Sequence, residues 1–211
     1  MGRTSGARER LIAAMASLAH RRGYVAVGVD DVCKAAGVKK GSFYHFFPSK
    51  HDLMLAALDR HRQNGDAFMR AAFDPAAPPL KRIERLLEML AEFETANKRR
   101  EGHVLGCPFG NVAAEVGGSE PALTDCAAGM FRDMAAVIAD ALREAKRLGQ
   151  LDKSTDENSA ADAIVAYFEG LALLAKARND PALIRRLGPR AVRLAHSPTP
   201  HVASPHRGRR R

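Results

Sequence analysis

Several features are missing from this sequence, and each absence removes a class of function. No apolar run reaches the roughly 18 residues needed to span a bilayer, and the start, MGRTSGARER, has no apolar stretch of the secretory type. The three cysteines, Cys33, Cys107 and Cys126, are odd in number and show no CxxC spacing, so neither a disulfide framework nor a zinc site is indicated. No cofactor or metal motif is present, no segment reads as a strand, and no internal repeat is visible. The expectation is an all-α cytoplasmic protein that needs no membrane, metal or cofactor and is not an enzyme.

What is present is concentrated between Val29 and Lys50, VDDVCKAAGVKKGSFYHFFPSK. The pattern is a short helix, a Gly-centred turn at Gly37 and a second short helix ending in aromatics and Pro48, the layout of a DNA-binding helix-turn-helix. Val29, Val32 and Ala36 form one apolar face, and Val38, Phe43 and Phe46 continue it beyond the turn. Lys39, Lys40, Ser42, Tyr44 and His45 are left outside as donors for phosphates and base edges. Lys40 opens the reading helix, where the helix dipole favours an anion, and Gly41 lets the backbone approach the groove. Lys50, at the start of the next helix, is expected on the flanking phosphates. Tyr44 packed inward and His45 merely solvated are the competing readings.

Charge follows the same division. Residues 1–60 carry ten Lys/Arg against five Asp/Glu, residues 61–196 carry nineteen of each, and residues 197–211 carry four Arg and no acid. The net +9 therefore sits at the two ends, as expected where one end holds a polyanion and the middle does something else.

The rest reads as helices. The first runs from about Arg3 to Arg22, with Thr4 or Ser5 as cap and Leu11, Met15, Leu18 and Ala19 on one face. Ser49 caps a fourth, and DPAAPP, residues 74–79, separates it from a fifth that carries Leu80, Ile83, Leu87, Leu90 and Phe93. GHVLGCPFGNVAAEVGG is expected to be largely irregular, with a helix start near Pro108. A long helix follows from about Pro121 to Gly149, bearing Met130, Met134 and Ile138. Ser154 and Glu157 are expected to form a capping box, and Asp180 with Pro181 to open the last helix. The helix from Ser159 to Ala177 is apolar on two faces, Ile164, Phe168, Leu171 and Ala175 on one and Ala160, Ala163, Tyr167, Gly170 and Leu174 on the other. A helix apolar around most of its girth must be covered on both sides. The second face, joined by Leu183, Ile184 and Leu187, predicts a two-fold four-helix homodimer interface; a fully buried central helix in a monomer is the alternative.

GYVAVGVDDVCKAAGVKKGSFYHFFPSKHDL resembles the N-terminal signature of the TetR family of transcriptional repressors, closely over about the first 60 residues and only in layout beyond. The resemblance implies a three-helix reading head whose third helix lies in the major groove, followed by a helical ligand-binding and dimerisation domain. Two positions depart from the pattern: Val27 and Gly28 stand where the family usually has a Thr/Ser pair capping the second helix, and Lys39 where it has Ser or Thr. GCPFGN, from Gly106, resembles the GCxxGN stretch of a subgroup that includes repressors responding to electrophiles through the equivalent Cys. A Cys at a helix start can have its thiolate favoured by free backbone N–H groups; simple packing of Cys107 is the other reading, and it is the expected one for Cys33.

The expected organisation is a helix-turn-helix domain over residues 1–50, an effector-binding and dimerisation domain over 51–195, and a disordered basic tail over 196–211. Cys107, Phe93, Phe109, Met130, Met134 and Phe168 are the candidate effector contacts. The function expected is that of a repressor binding a palindromic double-stranded DNA operator as a dimer and released by a small apolar or electrophilic effector. An activator or nucleoid-associated protein with the same head, and an enzyme using Cys107 as nucleophile with His103 as base, stay open as alternatives.

Overall fold

A computed structural model describes the backbone of residues 3–196 and the side chains from residue 6; the expected basic tail, apart from His196, lies outside the described residues. Three short-range elements form the N-terminal head: α1 (Arg3–Arg22), α2 (Val29–Ala36) and α3 (Lys40–Phe46). The helix α1 starts ahead of Thr4 and Ser5, so neither occupies the cap position. It ends at Gly23, whose φ of 86° lies in the left-handed region that glycine enters without penalty. At the start of α2, Gly28 has no side chain with which to cap; instead Asp31 Oδ2 accepts from Gly28 N at 3.0 Å, half of a capping box. Gly37 then takes a φ of 61° and turns the chain into α3.

Phe43 is fully buried and belongs to the same apolar core as Leu11, Met15, Val32 and Leu53. The second buried ring is Phe47 and not Phe46, a correction to the face read from the sequence. Because α3 ends at Phe46, Phe47 adopts extended backbone (φ −136°, ψ 119°), which turns its ring inward and leaves Phe46 half-exposed.

The second part contains α4 (Lys50–Ala72), α5 (Pro79–Glu101), α6 (Pro108–Val116), α7 (Pro121–Arg147), α8 (Glu157–Arg178), α9 (Ala182–Leu187), a 3-10 turn (Gly188–Arg190) and α10 (Ala191–Leu194). Ser49 caps α4 as expected, its Oγ accepting from Asp52 N at 3.1 Å. Pro79, Pro108 and Pro121 each start a helix, where the missing N–H costs nothing. The stretch expected to be mostly irregular is in fact helical over Pro108–Val116, with Phe109, Val112 and Val116 buried. The cap of α8 is Asp156, which accepts from Asn158 N and Ser159 N at 3.1 and 3.3 Å, rather than Ser154, which bonds Asp152 in the preceding turn. The last helical segment is broken at Gly188, where an added Cβ would stand 2.9 Å from Leu87 Cβ.

The long helices α7 and α8 pack along each other, with α5 against α7 and α9 against both α5 and α8. This arrangement corrects the expected interface: Leu183, Ile184 and Ala160 are buried within their own chain. The face of α8 left uncovered is Ala163, Ala166, Gly170, Leu173, Leu174 and Ala177, with Leu173 64% exposed.

The helix α4 packs on α1 on one side and on α5 and α7 on the other, so the two parts share one continuous apolar core. At this junction His20 Nε2–H donates to Gly106 O at 2.7 Å. Burial lowers the His20 pKa from 6.5 to about 4, more than the Gly106 hydrogen bond raises it. The unfolded chain therefore accepts a proton between pH 6.5 and about 4 that the folded protein refuses. Stability present at neutral pH is lost as the pH falls through that window, by about 3 kcal/mol from this group. In His20→Gln the amide still donates to Gly106 O but cannot titrate, so denaturant titrations should show a pH dependence shallower by about that amount; parallel profiles for variant and wild type would contradict the assignment.

Candidate functional site

The outer surface of the head carries the residues singled out from the sequence. Lys39, Lys40, Gly41, Ser42, Tyr44 and His45 are all exposed, along the start and outer side of α3. Tyr44 is 54% exposed, with its ring edge-on to Phe43, so the phenol is presented outward and held from behind. Gly41 faces open space. Lys40 is not free: its Nζ lies 2.9 Å from Asp30 Oδ1, an exposed pair that a phosphate can displace. Lys50 is the exception. Its Nζ donates to Tyr24 O and Val27 O, both at 3.2 Å, and stands 4.2 Å from the centroid of the Tyr24 ring. It holds the turn between α1 and α2, a role invisible in the sequence because the two carbonyls come from more than twenty residues upstream.

Behind the head, a cavity of about 410 Å³ lies between α1, α4, α5, α6, α7 and α8. Phe93, Cys107, Phe109, Met130, Met134 and Phe168 all line it, so the structure brings together the five positions taken from helical faces and the cysteine of the GCPFGN segment. The polar part of the wall escaped that reading. On α5 the buried stripe Ile83, Leu87, Leu90 continues onto Glu94 and Asn97, 0% and 1% exposed, while Phe93 is 45% exposed. The signal was available: positions 83, 87, 90, 94 and 97 keep helical spacing, and only the polar character of the last two hid their burial.

Glu94 Oε2 accepts from Leu105 N at 2.9 Å and from Asn97 Nδ2 at 3.4 Å, whereas Oε1 has no partner within the chain. Burial raises the pKa of Glu94 above the usual carboxylate value, and lowers that of His61, whose Nε2 lies 3.4 Å from Ala16 O. The lining also carries charged groups, Arg21, Arg60, Arg100 and Glu101.

Cys107 corrects a second expectation. It does cap α6, its sulfur accepting from Gly110 N at 3.4 Å. Burial, however, and then the neighbouring Glu169 carboxylate push the thiol well above its ordinary pKa, and the helix-start N–H groups do not compensate. His103, the base suggested from the sequence, is exposed; the group beside the thiol is Glu169. Cys33 is buried in the head core, as expected. Among the described residues no group of three His, Cys, Asp or Glu side chains could hold a metal.

The cavity is tied to the head by specific contacts. From α6, Glu115 accepts from Tyr24 N at 2.7 Å and Val25 N at 2.9 Å, gripping the turn between α1 and α2. Gly23 is required there, since an added Cβ would sit 2.7 Å from Glu115 Oε1. His51 on α4 pairs with Glu120 at 2.8 Å, and Arg21 on α1 with Glu101 at 3.2 Å.

Residues 11–57 match the family described as bacterial regulatory proteins, tetR family, and residues 79–189 match the tetracyclin repressor-like C-terminal domain. The chain is 36% identical over 163 residues to the transcriptional regulator AcuR of Cereibacter sphaeroides, covering 76% of this chain and 73% of that protein. It is 30% identical over 173 residues to the HTH-type transcriptional regulator TtgR of Pseudomonas putida, covering 78% and 77%. The crystal structure of the regulatory protein TetR from Rhodobacter sphaeroides aligns with a TM-score of 0.80 at 31% identity, over 89% of this chain and 98% of that one.

Replacing Glu115 tests the clamp. In Glu115→Ala the Tyr24 and Val25 amides lose their acceptor, at a cost of about 1 to 2 kcal/mol for an exposed charge-assisted pair. Their hydrogen exchange should accelerate about tenfold or more, with core amides of α7 unchanged; equal protection in both proteins would show that the turn holds itself.

Proposed function

The chain belongs to the TetR family of bacterial regulatory proteins and is a transcriptional regulator; from that premise we propose that it is a dimeric repressor released from its operator by a small compound bound in the cavity behind the head. One observation carries this reading: Glu115, on a helix that walls the cavity, grips the backbone of the turn from which α2 and α3 are suspended. A compound that displaces α6 pulls on that turn. In a dimer, a small rotation of each head is enough to spoil the match to major grooves roughly 34–36 Å apart. Release requires the compound to prefer the DNA-incompetent arrangement, and its effect is limited to that preference.

Lys39, Lys40, Ser42, Tyr44 and His45 are the proposed DNA contacts, with Gly41 as the point of close approach. Phe93, Cys107, Phe109, Met130, Met134 and Phe168 are the proposed effector contacts. The second subunit is proposed to cover the exposed stripe of α8; at Gly170 nothing lies within 4 Å of the position a Cβ would take, which leaves room for a partner helix. No described helix is long and apolar enough to cross a membrane, and a regulator of chromosomal genes would work in the cytoplasm.

Covalent capture at Cys107 is a second reading, favoured by its place in the cavity wall with Glu169 beside it as proton acceptor. Because the thiol is held protonated, alkylation by N-ethylmaleimide should be slow at neutral pH and accelerate above the ordinary thiol range. Cys107→Ser should abolish DNA release by that reagent while Cys126→Ser retains it. Release of Cys107→Ser at the wild-type rate would leave only the non-covalent reading.

The head is tested with a duplex selected from random sequence. Lys40→Ala should weaken binding and reduce the salt slope by about one, and Tyr44→Phe should weaken binding with no change in the folding midpoint. Lys50→Ala should instead lower the folding midpoint. Unchanged affinity in both Lys40→Ala and Tyr44→Phe would refute the proposed contacts. For assembly, Leu173→Lys and Gly170→Arg should shift the protein to monomer in analytical ultracentrifugation; a monomeric wild type would remove the proposed interface.

A further inference from the structure

One buried side chain of the cavity wall has unfinished hydrogen bonding. Glu94 is fully buried, and its Oε2 accepts from Leu105 N at 2.9 Å and from Asn97 Nδ2 at 3.4 Å. The Gly106 N–H and the charge of Lys176 act on the same carboxylate, and all four groups favour its charged form against the burial that opposes it. Oε1 has no partner among the described residues. A carboxylate oxygen can only accept, so what it lacks is a donor.

The two imidazoles of the wall have the same need. His20 gives its Nε2–H to Gly106 O at 2.7 Å, and burial holds the ring neutral with a pKa of about 4. His61 turns Nε2 to Ala16 O at 3.4 Å, and a carbonyl can be met only by an N–H. In each neutral ring the other nitrogen, Nδ1, is then an acceptor. The cations of the lining are exposed and engaged elsewhere: Arg21 and Arg100 hold Glu101, at 3.2 and 2.8 Å, and Arg60 lies 3.8 Å from Glu9. Together with Lys176 they oppose a further buried cation, so an uncharged donor fits better than an ammonium. A ligand carboxylate would set acceptor against acceptor.

We propose that the cavity takes a small, mainly apolar alcohol or phenol, whose hydroxyl donates a hydrogen bond to Glu94 Oε1 while its body packs on Phe109, Phe168, Met130 and Met134. This rests on the reading of the cavity as the effector site, and it names the class of compound. A hydroxyl brings the missing donor without the second polar atom that an amide would have to bury.

Five compounds of similar size separate the possibilities by calorimetry on the full chain: 2-phenylethanol, its isomer benzyl methyl ether, propylbenzene, 2-phenylethylamine and phenylacetate. The ether keeps the acceptor of the alcohol and lacks its donor. The alcohol should bind about tenfold more tightly than the ether or the hydrocarbon, the worth of one buried hydrogen bond to a charged acceptor, and this advantage over the hydrocarbon should disappear in Glu94→Met. In Glu94→Gln the amide oxygen must stay with the Leu105 and Asn97 N–H donors, which puts the amide NH2 in the place of Oε1. That NH2 donates to alcohol and ether alike, so the two isomers should bind equally to this variant. It decides the matter together with the wild-type isomer pair should Glu94→Met fail to fold. An ether that binds the wild type as tightly as the alcohol, tighter binding of the amine or of phenylacetate, an isomer preference unchanged in Glu94→Gln, or no binding of any of the five would overturn the proposal. Operator release is read in the same samples: an alcohol that binds through Glu94 without releasing DNA supports the compound class and sinks the effector reading. Release by compounds whose affinity ignores Glu94 sinks the compound class alone.

Discussion

Two N–H groups on one turn control how the two parts of this molecule meet. The backbone between α1 and α2 turns sharply at Gly23, and its Tyr24 and Val25 amides point away from any helix that could satisfy them. Glu115 supplies both acceptors from α6, while Lys50 satisfies the Tyr24 and Val27 carbonyls from α4. The turn is thus held on its donor side by one element and on its acceptor side by another. Each grip is at most part-buried and is worth about 1 to 2 kcal/mol, a small share of what the core supplies, and together they determine where the head sits. A contact that is cheap to break and geometrically exacting suits a regulator better than a large apolar interface, which would hold one arrangement rigidly.

The core shared through α4 supplies that stability. Leu11, Met15, Leu53, Leu58, Ile138 and Leu142 belong to one connected cluster running through the head and the second part. The cavity interrupts this cluster at the level of His20, Glu94 and Cys107, where burial disfavours the charged form of each group. Each is costly to bury. Apolar replacements of similar volume would pack at lower cost. Their presence where the packing opens, next to the α6 segment that carries Glu115, is a physical reason for assigning ligand recognition to this wall.

The uncovered stripe on α8 is a separate demand. Leu173 and Leu174 lie exposed beside Ala166, Gly170 and Ala177, on a helix whose other faces are engaged by α7, α9 and α10. Small residues flanked by leucines permit close helix approach, and no loop of the described chain folds back over them.

Local sequence was sufficient for the elements that depend on neighbours a few residues away. Gly37 as the turn of the head, Ser49 as the cap of α4, prolines at helix starts and the apolar spacing of α7 are decided by backbone sterics and by helical period, both of which operate within one or two turns. The exposed residues of α3 were legible for the same reason, since Phe43 indicates which side is inward and its neighbours must then face out. Five of the candidate lining residues were found by extending that rule to the second part, and Cys107 from the GCPFGN segment. Wherever a partner comes from far along the chain, the rule is silent. Phe46 and Phe47 exchange roles because α3 ends one residue earlier than the apolar pattern suggests. Lys50 looks like a phosphate ligand until two distant carbonyls claim it, and Cys107 looks activated by its helix start until Glu169 and burial reverse the sign. Glu94 and Glu115 look like ordinary surface acids, yet tertiary packing leaves one with an unpartnered oxygen in the core and sets the other against the turn of the reading head. Helical period could show which face each residue occupies; only the assembled fold could decide what that face meets, because desolvation and hydrogen-bond partners are properties of the neighbour.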